Sequence, residues 1–383
     1  MKSELLFIVN PVAGHGRSMR VFSRLESVMD QVAGLKRLVW LTRGPGHALE
    51  LARRAALEGY DRIVAVGGDG TVHEAINGLM GLKPEILNRV SFGVVPAGSG
   101  NDFSRNLGIP TDVGALATLL ASGSSGLADV GTVNGHYFAN VAGVGFDAEV
   151  ARMANRVPKL VPGTLTYVTC ALAQLAVYRN AAVRLTLDGQ VLERRALLVA
   201  VGNGARYAGG MTICPGARMD DGVFRVVVAG DLSRAQVLQV LPQVFPGRHV
   251  AHPLVEVWDA REVHVEADRP LSIQADGEVI GTVPATFRLL PRALPVIGLR
   301  TPEPGGADAE LREAEGAREP APETEASAPA ADPAGPRAER EPAKREPASE
   351  PGRNPAFPQS SDEDSLPGGG NGYFERRRRR DSA

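Results

Sequence analysis

A single carboxylate, Asp69, sits inside the run Gly67-Gly68-Asp69-Gly70-Thr71, between the apolar stretch Val64 to Val66 and a helix-like segment that opens with Val72 and His73. Two similar breaks flank it. One is NPVAGHGRS, with Asn10, Pro11, Val12, Ala13, Gly14, Gly16, Arg17 and Ser18; the other is PAGSGNDFSRNLG, with Gly98, Ser99, Gly100, Asn101 and Asp102. Glycines let backbone N–H groups close on phosphate oxygens, and the helix N-termini that follow favour negative charge. Arg17 adds a positive charge and Ser99 a hydroxyl donor. An acid beside phosphates is repulsive unless a divalent cation lies between them, so Asp69 points to a nucleoside triphosphate with Mg²⁺. The Walker pattern GxxxxGK[ST] is absent from all three breaks, which excludes a P-loop.

The elements that must carry these loops are readable from periodicity. Strands are expected at Leu5 to Val9, Leu38 to Leu41, Ile63 to Val66 and Phe92 to Val95, with helices at 18–32, 47–58 and 72–79 between them. That alternation is a parallel sheet covered by helices, in which ligands bind beyond the carboxyl ends of the strands. Three loops there make one site. From Asp129 onward the expectation is mainly strands, at 183–187, 196–201, 224–228, 262–265, 271–274 and 285–290, forming a β-sandwich or barrel-like body. Two helices interrupt it, at 164–178 and 234–240. The first puts Leu165, Val168, Leu172 and Leu175 on one face, which reads as core packing or as the lining of an acyl-chain entry.

Three smaller features are turns on their own terms. Asp276-Gly277-Glu278 and Asp220-Asp221-Gly222 are hairpin signals. Gly143, Gly145 and Ala148 form a weak GxGxxA with no clear βα unit before it. His249 and His252 form HxxH without a third ligand nearby and read as surface loop.

In their order and spacing, N-P-x-A-G-x-x-R, GGDGT and P-x-G-S-x-N-D-F resemble the diacylglycerol kinase and related lipid kinase family, which also includes sphingosine and ceramide kinases. The resemblance covers about residues 1–300. GGDGT alone is shared with NAD kinases and phosphofructokinases. The resemblance implies an α/β nucleotide-binding catalytic domain at 1–128 and a β-sandwich lipid-substrate domain at 129–300, whose last strands return to the first. It places Thr42, Gly46, His47 and Ala48 near the nucleotide, and Asp129-Val130-Gly131 at the domain junction. ATP would contact Asn10 to Gly14, Arg17, Thr42, Gly67 to His73, Gly98, Ser99, Asn101 and Asp102. A structural Mg²⁺ would be held by the Asp221 side chain and the main chain at Arg218 and Val223. Glu278 would be the general base, with Asp276 orienting it or helping to bind Mg²⁺, and Asp69 completing the catalytic set. The acceptor would be diacylglycerol or a related lipid alcohol, met at the inner membrane face by a cytoplasmic protein, and a homodimer is compatible with the family. An NAD kinase and a catalytically silent, nucleotide-sensing membrane adaptor are the alternatives. An Asn-Glu acceptor motif after the third loop is missing, which disfavours the NAD kinase.

Bulk composition narrows the classes further. The chain has 383 residues, 43% of them hydrophobic, and a net charge of −2, which argues against general nucleic-acid binding. Its two cysteines, Cys170 and Cys214, form no CxxC pair and fit a reducing compartment. MKSELLFIVNP reads as a first strand rather than a signal peptide, and no apolar run approaches the ~20 residues of a spanning helix. From Thr301 the text turns to Pro, Ala, Glu and Arg, with 13 of the 28 prolines, and is expected to be disordered. Its end, Tyr373 and Phe374 before Arg376 to Arg380, is a candidate anionic-lipid contact.

Overall fold

The computed structural model describes residues 2–30, 36–157 and 163–299. The expected disordered tail and its Arg376–Arg380 cluster lie outside the described residues. The first part alternates β1 (Lys2–Val9), α1 (Ala13–Met29), β2 (Arg37–Leu41), α2 (His47–Leu57), β3 (Tyr60–Gly67), α3 (Asp69–Met80), α4 (Pro84–Leu87), β4 (Ser91–Pro96), α5 (Asp102–Asn106) and α6 (Val113–Ser122). Next come β5 (Ser125–Val133), β6 (His136–Phe138), β7 (Val141–Gly145), α7 (Phe146–Ala154), α8 (Gly163–Leu175), β8 (Ala181–Leu187), β9 (Gln190–Ala196) and β10 (Leu198–Gly202). The last are β11 (Phe224–Ala229), α9 (Arg234–Val244), β12 (Val255–Ala260), β13 (Glu262–Ala267), β14 (Ser272–Ala275), β15 (Glu278–Thr282) and β16 (Ala285–Ile297).

Two sheets result. The first runs β2-β1-β3-β4-β16-β13-β8-β9, with β5 on β16 and β6 on β5. Its β1 to β4 part is parallel, as the alternation of strand and helix requires. The strands beyond β16 are antiparallel. The second sheet, β12-β11-β10-β7-β14-β15, is antiparallel throughout. The fold is therefore an α/β layer continued into a mainly antiparallel β-sandwich. Leu5 to Val9 on β1 are all buried, as expected for a strand covered on both faces. Alternate residues on β10 serve two cores. Val199 and Val201 face the sandwich interior, and Leu198 and Ala200 face α7 and α8.

Two local expectations need correction. The strand expected over 196–201 is two strands in different sheets, because the chain changes sheet at Leu197, whose N–H bonds to Ala229 and whose carbonyl caps the start of α7. The apolar face assigned to the helix at 164–178 is also not one face of a core. Leu175 is buried, whereas Leu165 and Leu172 are 56% and 46% exposed.

Candidate active site

The three glycine-rich loops meet at the carboxyl ends of β1, β3 and β4. Much of their glycine content lets loop pack on loop. A Cβ on Gly98 would lie 2.4 Å from the Gly68 Cα, and one on Gly14 would lie 2.4 Å from the Ala97 carbonyl oxygen. Gly67 makes room for the buried Thr71 side chain, whose Oγ1 accepts from Asn10 Nδ2 at 3.0 Å. Gly16 and Gly70 differ, because nothing lies within 4 Å of the space a Cβ would fill. Gly14, His15 and Gly16 all have φ between 56 and 78°, so the first loop curls before α1 becomes regular. Ser99, Val12 and Arg17 are exposed along the same rim.

Asp69 clasps the third loop. Its carboxylate accepts from Asn101 N at 2.8 Å, Asp102 N at 2.6 Å and Phe103 N at 3.4 Å. Both oxygens thus face the N–H groups that begin α5. Burial pushes its carboxyl up despite these bonds, and Asp276 adds to the rise. Asp102, buried beside it, is pushed up to about 6 by burial and by the Asp69 charge, while Gly209 N donates to it at 2.8 Å. Thr42 is buried at the end of β2, where its N–H bonds to Val9.

The hairpin between β14 and β15 lies against the second loop. Asp276 takes a left-handed turn at φ 49°. Its Oδ1 accepts from Asn140 N at 2.9 Å and Val141 N at 3.1 Å, and its Oδ2 from Ala139 N at 2.8 Å. His73 Nδ1, on α3, stands 3.4 Å from Oδ2. Burial alone would lower the His73 imidazole, but the bond and charge of Asp276, with Glu278 and Glu74, raise it overall. Glu278, two residues beyond Asp276, is exposed. Beneath it, Gln274 Oε1 holds Gly277 N at 2.7 Å, and Gln274 Nε2 donates to Asp147 Oδ2 at 3.2 Å. Asp147 is fully buried and pushed up to about 6 by that burial.

The Asp220–Gly222 turn is organised by Asp129, which accepts from Gly222 N and Arg292 N, each at 2.7 Å. Arg218 pairs with Asp220 at 3.1 Å, and Asp221 Oδ1 takes Val223 N at 3.2 Å. Burial raises the Asp221 carboxyl, and Asp129 and Asp220 push the same way. That crowding of acids suits a cation, although no cluster of three or more His, Cys, Asp or Glu among the described residues is arranged to hold one.

Several positioning residues escape a sequence reading. Glu74 caps α2, accepting from Gly46 N at 2.8 Å and Ala48 N at 3.1 Å. Asn77 exchanges bonds with the Tyr137 backbone. The fully buried Asn203 donates to the Asp129 and Ala139 carbonyls. A polar residue inside an apolar run, as in Ala75-Ile76-Asn77-Gly78-Leu79, is the available signal; its partner is not encoded nearby.

Fold and site together define a two-sheet kinase with nucleotide-type loops on one layer and an acidic hairpin on the other. Residues 4–133 match the diacylglycerol kinase catalytic domain, and residues 140–298 match the YegS C-terminal NAD kinase beta sandwich-like domain. The chain is 31% identical over 287 residues to a protein named diacylglycerol kinase from Staphylococcus carnosus (strain TM300), covering 75% of this chain and 92% of that one. It is also 31% identical over 296 residues to the diacylglycerol kinase of Staphylococcus aureus (strain MRSA252), covering 77% and 92%. A crystal structure described as a diacylglycerol kinase from Bacillus anthracis strain Sterne superposes with a TM-score of 0.60 at 26% identity, covering 78% of this chain and 97% of that one. The chain belongs to the diacylglycerol kinase family, and it is a lipid kinase.

Proposed function

We propose that the protein transfers the γ-phosphoryl group of ATP to the hydroxyl of diacylglycerol or a closely related lipid alcohol. The observation that carries this reading is the docking of the Asp276–Glu278 hairpin against His73, two residues past the GGDGT loop. A group able to take a proton is thereby held beside the loops suited to phosphate. Phosphoryl transfer depends mainly on position and charge, and needs a base for the acceptor hydroxyl. Glu278 receives that proton as the oxygen–phosphorus bond forms, and ADP leaves as the bond to the γ-phosphorus breaks. Asp276 holds the hairpin and His73 in register. Gly16 and Gly70, with open space before them, let phosphate oxygens reach the backbone N–H groups, and Arg17 and Ser99 on the rim add charge and a donor.

Mg²⁺ fits two places. Asp69, beside the phosphates, is in our reading chiefly the brace of the third loop, with lone pairs left to face a cation. Asp221, with the carbonyls of Arg218 and Val223, would hold a structural ion that relieves the repulsion from Asp129 and Asp220. When bound, the nucleotide's cation would neutralise phosphate charge. The acceptor being a membrane lipid, the protein would act at the cytoplasmic membrane surface, where ATP is available. None of the described helices is long and apolar enough to cross a membrane.

Labelled γ-phosphate from ATP, offered with Mg²⁺ to diacylglycerol in mixed micelles and to NAD in parallel, tests the reading. Label in a phospholipid that disappears when Mg²⁺ is chelated is the expected result. Label on NAD alone, or on neither, would reject it.

A further inference from the structure

Glu278 stands in an exposed place for a group that must be aimed. It opens β15, the edge strand of the second sheet, which among the described residues is paired only with β14. The turn before it consists of Asp276 and Gly277, both left-handed, at φ 49° and 91°. The closing bonds of such a turn join the flanking residues, here Ala275 and Glu278. They leave the peptide groups of the turn itself to find other partners.

Both free groups of Gly277 are taken by side chains. Its N–H donates to Gln274 Oε1 at 2.7 Å, and its carbonyl accepts from Asn155 Nδ2 at 2.9 Å. Asn155 is the C-cap of α7. The other end of the Gln274 amide donates to Asp147 Oδ2 at 3.2 Å, and Asp147 lies in the first turn of the same helix. One helix thus holds one turn residue twice, directly from its last turn and through Gln274 from its first. The packing is built around this contact. Gly143 faces Gln274 across the β7–β14 ladder, and a Cβ there would run into the Asp147 carboxylate. Gln274 and Asp147 are buried, so each polar end needs its partner. An N–H can only donate and a carboxylate accepts, which gives the amide a single satisfying orientation. Glutamate at 274 would meet Asp147 acid to acid, and methionine would leave both partners unpaired.

We propose that Gln274 and Asn155 are positioning residues for phosphoryl transfer. They fix the peptide groups on both sides of Gly277, and so the backbone from which the Glu278 carboxylate reaches the acceptor hydroxyl, while Asp147 keeps the Gln274 amide the right way round. This rests on the reading of Glu278 as the base. A clasp needed only for stability would not call for these residues, because an apolar side chain at 274 would pack against α7 without burying an amide. Among the described residues, Gln274, Asn155 and Asp147 form no hydrogen bond with the three glycine-rich loops. Loosening the grip therefore displaces the base and leaves the nucleotide contacts as they are.

Steady-state kinetics of the full chain with ATP, Mg²⁺ and diacylglycerol in mixed micelles provide the test. Gln274→Glu, Gln274→Met and Asn155→Ala should each lower kcat, the first two about tenfold and the last about fourfold, with the KM for ATP unchanged. The double variant Asp147→Asn/Gln274→Glu exchanges amide and acid between the two positions and restores both hydrogen bonds. It should return kcat to within about threefold of the parent. In a Glu278→Gln background Gln274→Glu should cost nothing further, since no base is left to place. Deuterium exchange at the Gly277 amide, read by NMR without substrate, should quicken about tenfold in Gln274→Met while the β1 amides keep the parent rate. A double variant no faster than Gln274→Glu alone overturns the proposal. So does a loss in the Glu278→Gln background as large as in the parent, or a Gly277 amide that exchanges alike in parent and Gln274→Met. A raised KM for ATP at constant kcat also overturns it, by moving the effect to the nucleotide loops. The two readings fail separately. Glu278→Gln at the parent rate rejects Glu278 as the base and takes the positioning role with it. An inactive Glu278→Gln beside parent-like Gln274→Met and Asn155→Ala rejects the positioning role alone.

Discussion

Asp276 and His73 stand 203 positions apart in the chain and 3.4 Å apart in the fold. The same carboxylate takes three backbone N–H groups from residues 139 to 141, so one side chain ties the hairpin, the β6–β7 connection and the helix after GGDGT together. Asp276→Asn would turn an amide N–H toward these donors and leave some unpaired, at about 1–3 kcal/mol of stability. His73 should titrate lower, since burial would then act with less opposition. The raised imidazole contributes stability that is complete below the ordinary histidine value and fades as pH rises through its raised one. The variant should lose that part of the pH dependence. NMR titration of the His73 ring checks the shift, and an unmoved ring would refute it.

Glu278 is exposed and accepts no hydrogen bond among the described residues, so its loss should leave the fold intact. Glu278→Gln is expected to lower kcat by about 10²–10⁴, with the melting temperature and the KM for ATP unchanged. A rate within threefold of the parent would remove Glu278 as the base.

Asp69→Asn separates the brace from the metal ligand. Loss of charge-assisted bonds to Asn101, Asp102 and Phe103 should cost about 2 kcal/mol in protein free of nucleotide and metal. Thermal melts without ligand are the measurement. An unchanged melt together with weaker Mg-ATP binding would assign Asp69 to the ligand alone.

Glycines of the same loops should respond in opposite ways. Gly98→Ala drives a Cβ into the Gly68 backbone and should destabilise the protein, whereas Gly70→Ala points into open space. The Gly70 variant should melt like the parent and bind ATP about tenfold more weakly, because a methyl group keeps phosphate from the backbone. Parent-like ATP affinity by calorimetry would place the phosphates elsewhere.

Asp147 supplies a pH prediction. With its carboxyl pushed from 3.8 to about 6, the folded chain holds this proton more tightly than the unfolded chain, so its contribution to stability falls as pH rises between those values. Asp147→Asn should flatten that slope and be more stable than the parent above pH ~6, by on the order of 2 kcal/mol. Asp102 slopes the same way, so the parent-minus-variant difference is the quantity to follow across pH 4–8.

The α/β layer was legible because strand, glycine break and helix succeed one another locally, and each break announces its own close approach. What each break approaches was not. Gly68 and Gly98 face one another, and Asp69 reaches N–H groups more than thirty residues away, distances no local pattern records. The Asp276–Glu278 hairpin looked like any Asp-Gly turn, and its family resemblance, not its spacing, singled out Glu278. The helix at 164–178 misled because apolar residues on both faces carry no sign of which face is covered. The change of sheet at Leu197 was hidden for a related reason: Ala196, the last residue of β9, runs into the apolar β10 with no polar residue or turn signal between them.

β16 carries the chain from the sandwich into the parallel layer, pairing with β13 at its start and with β4 near its end. β5 runs beside it along nearly the whole length, and their register breaks between Leu290 and Leu294, where Arg292 turns left-handed and Asp129 grips its N–H. The two layers are thus joined by a paired ribbon with one built-in kink rather than by loose chain. Asp129 fixes that kink through the Arg292 N–H and, with its other oxygen, the Asp220–Gly222 turn through the Gly222 N–H, so one carboxylate holds the join between the layers and the acidic turn in a single geometry.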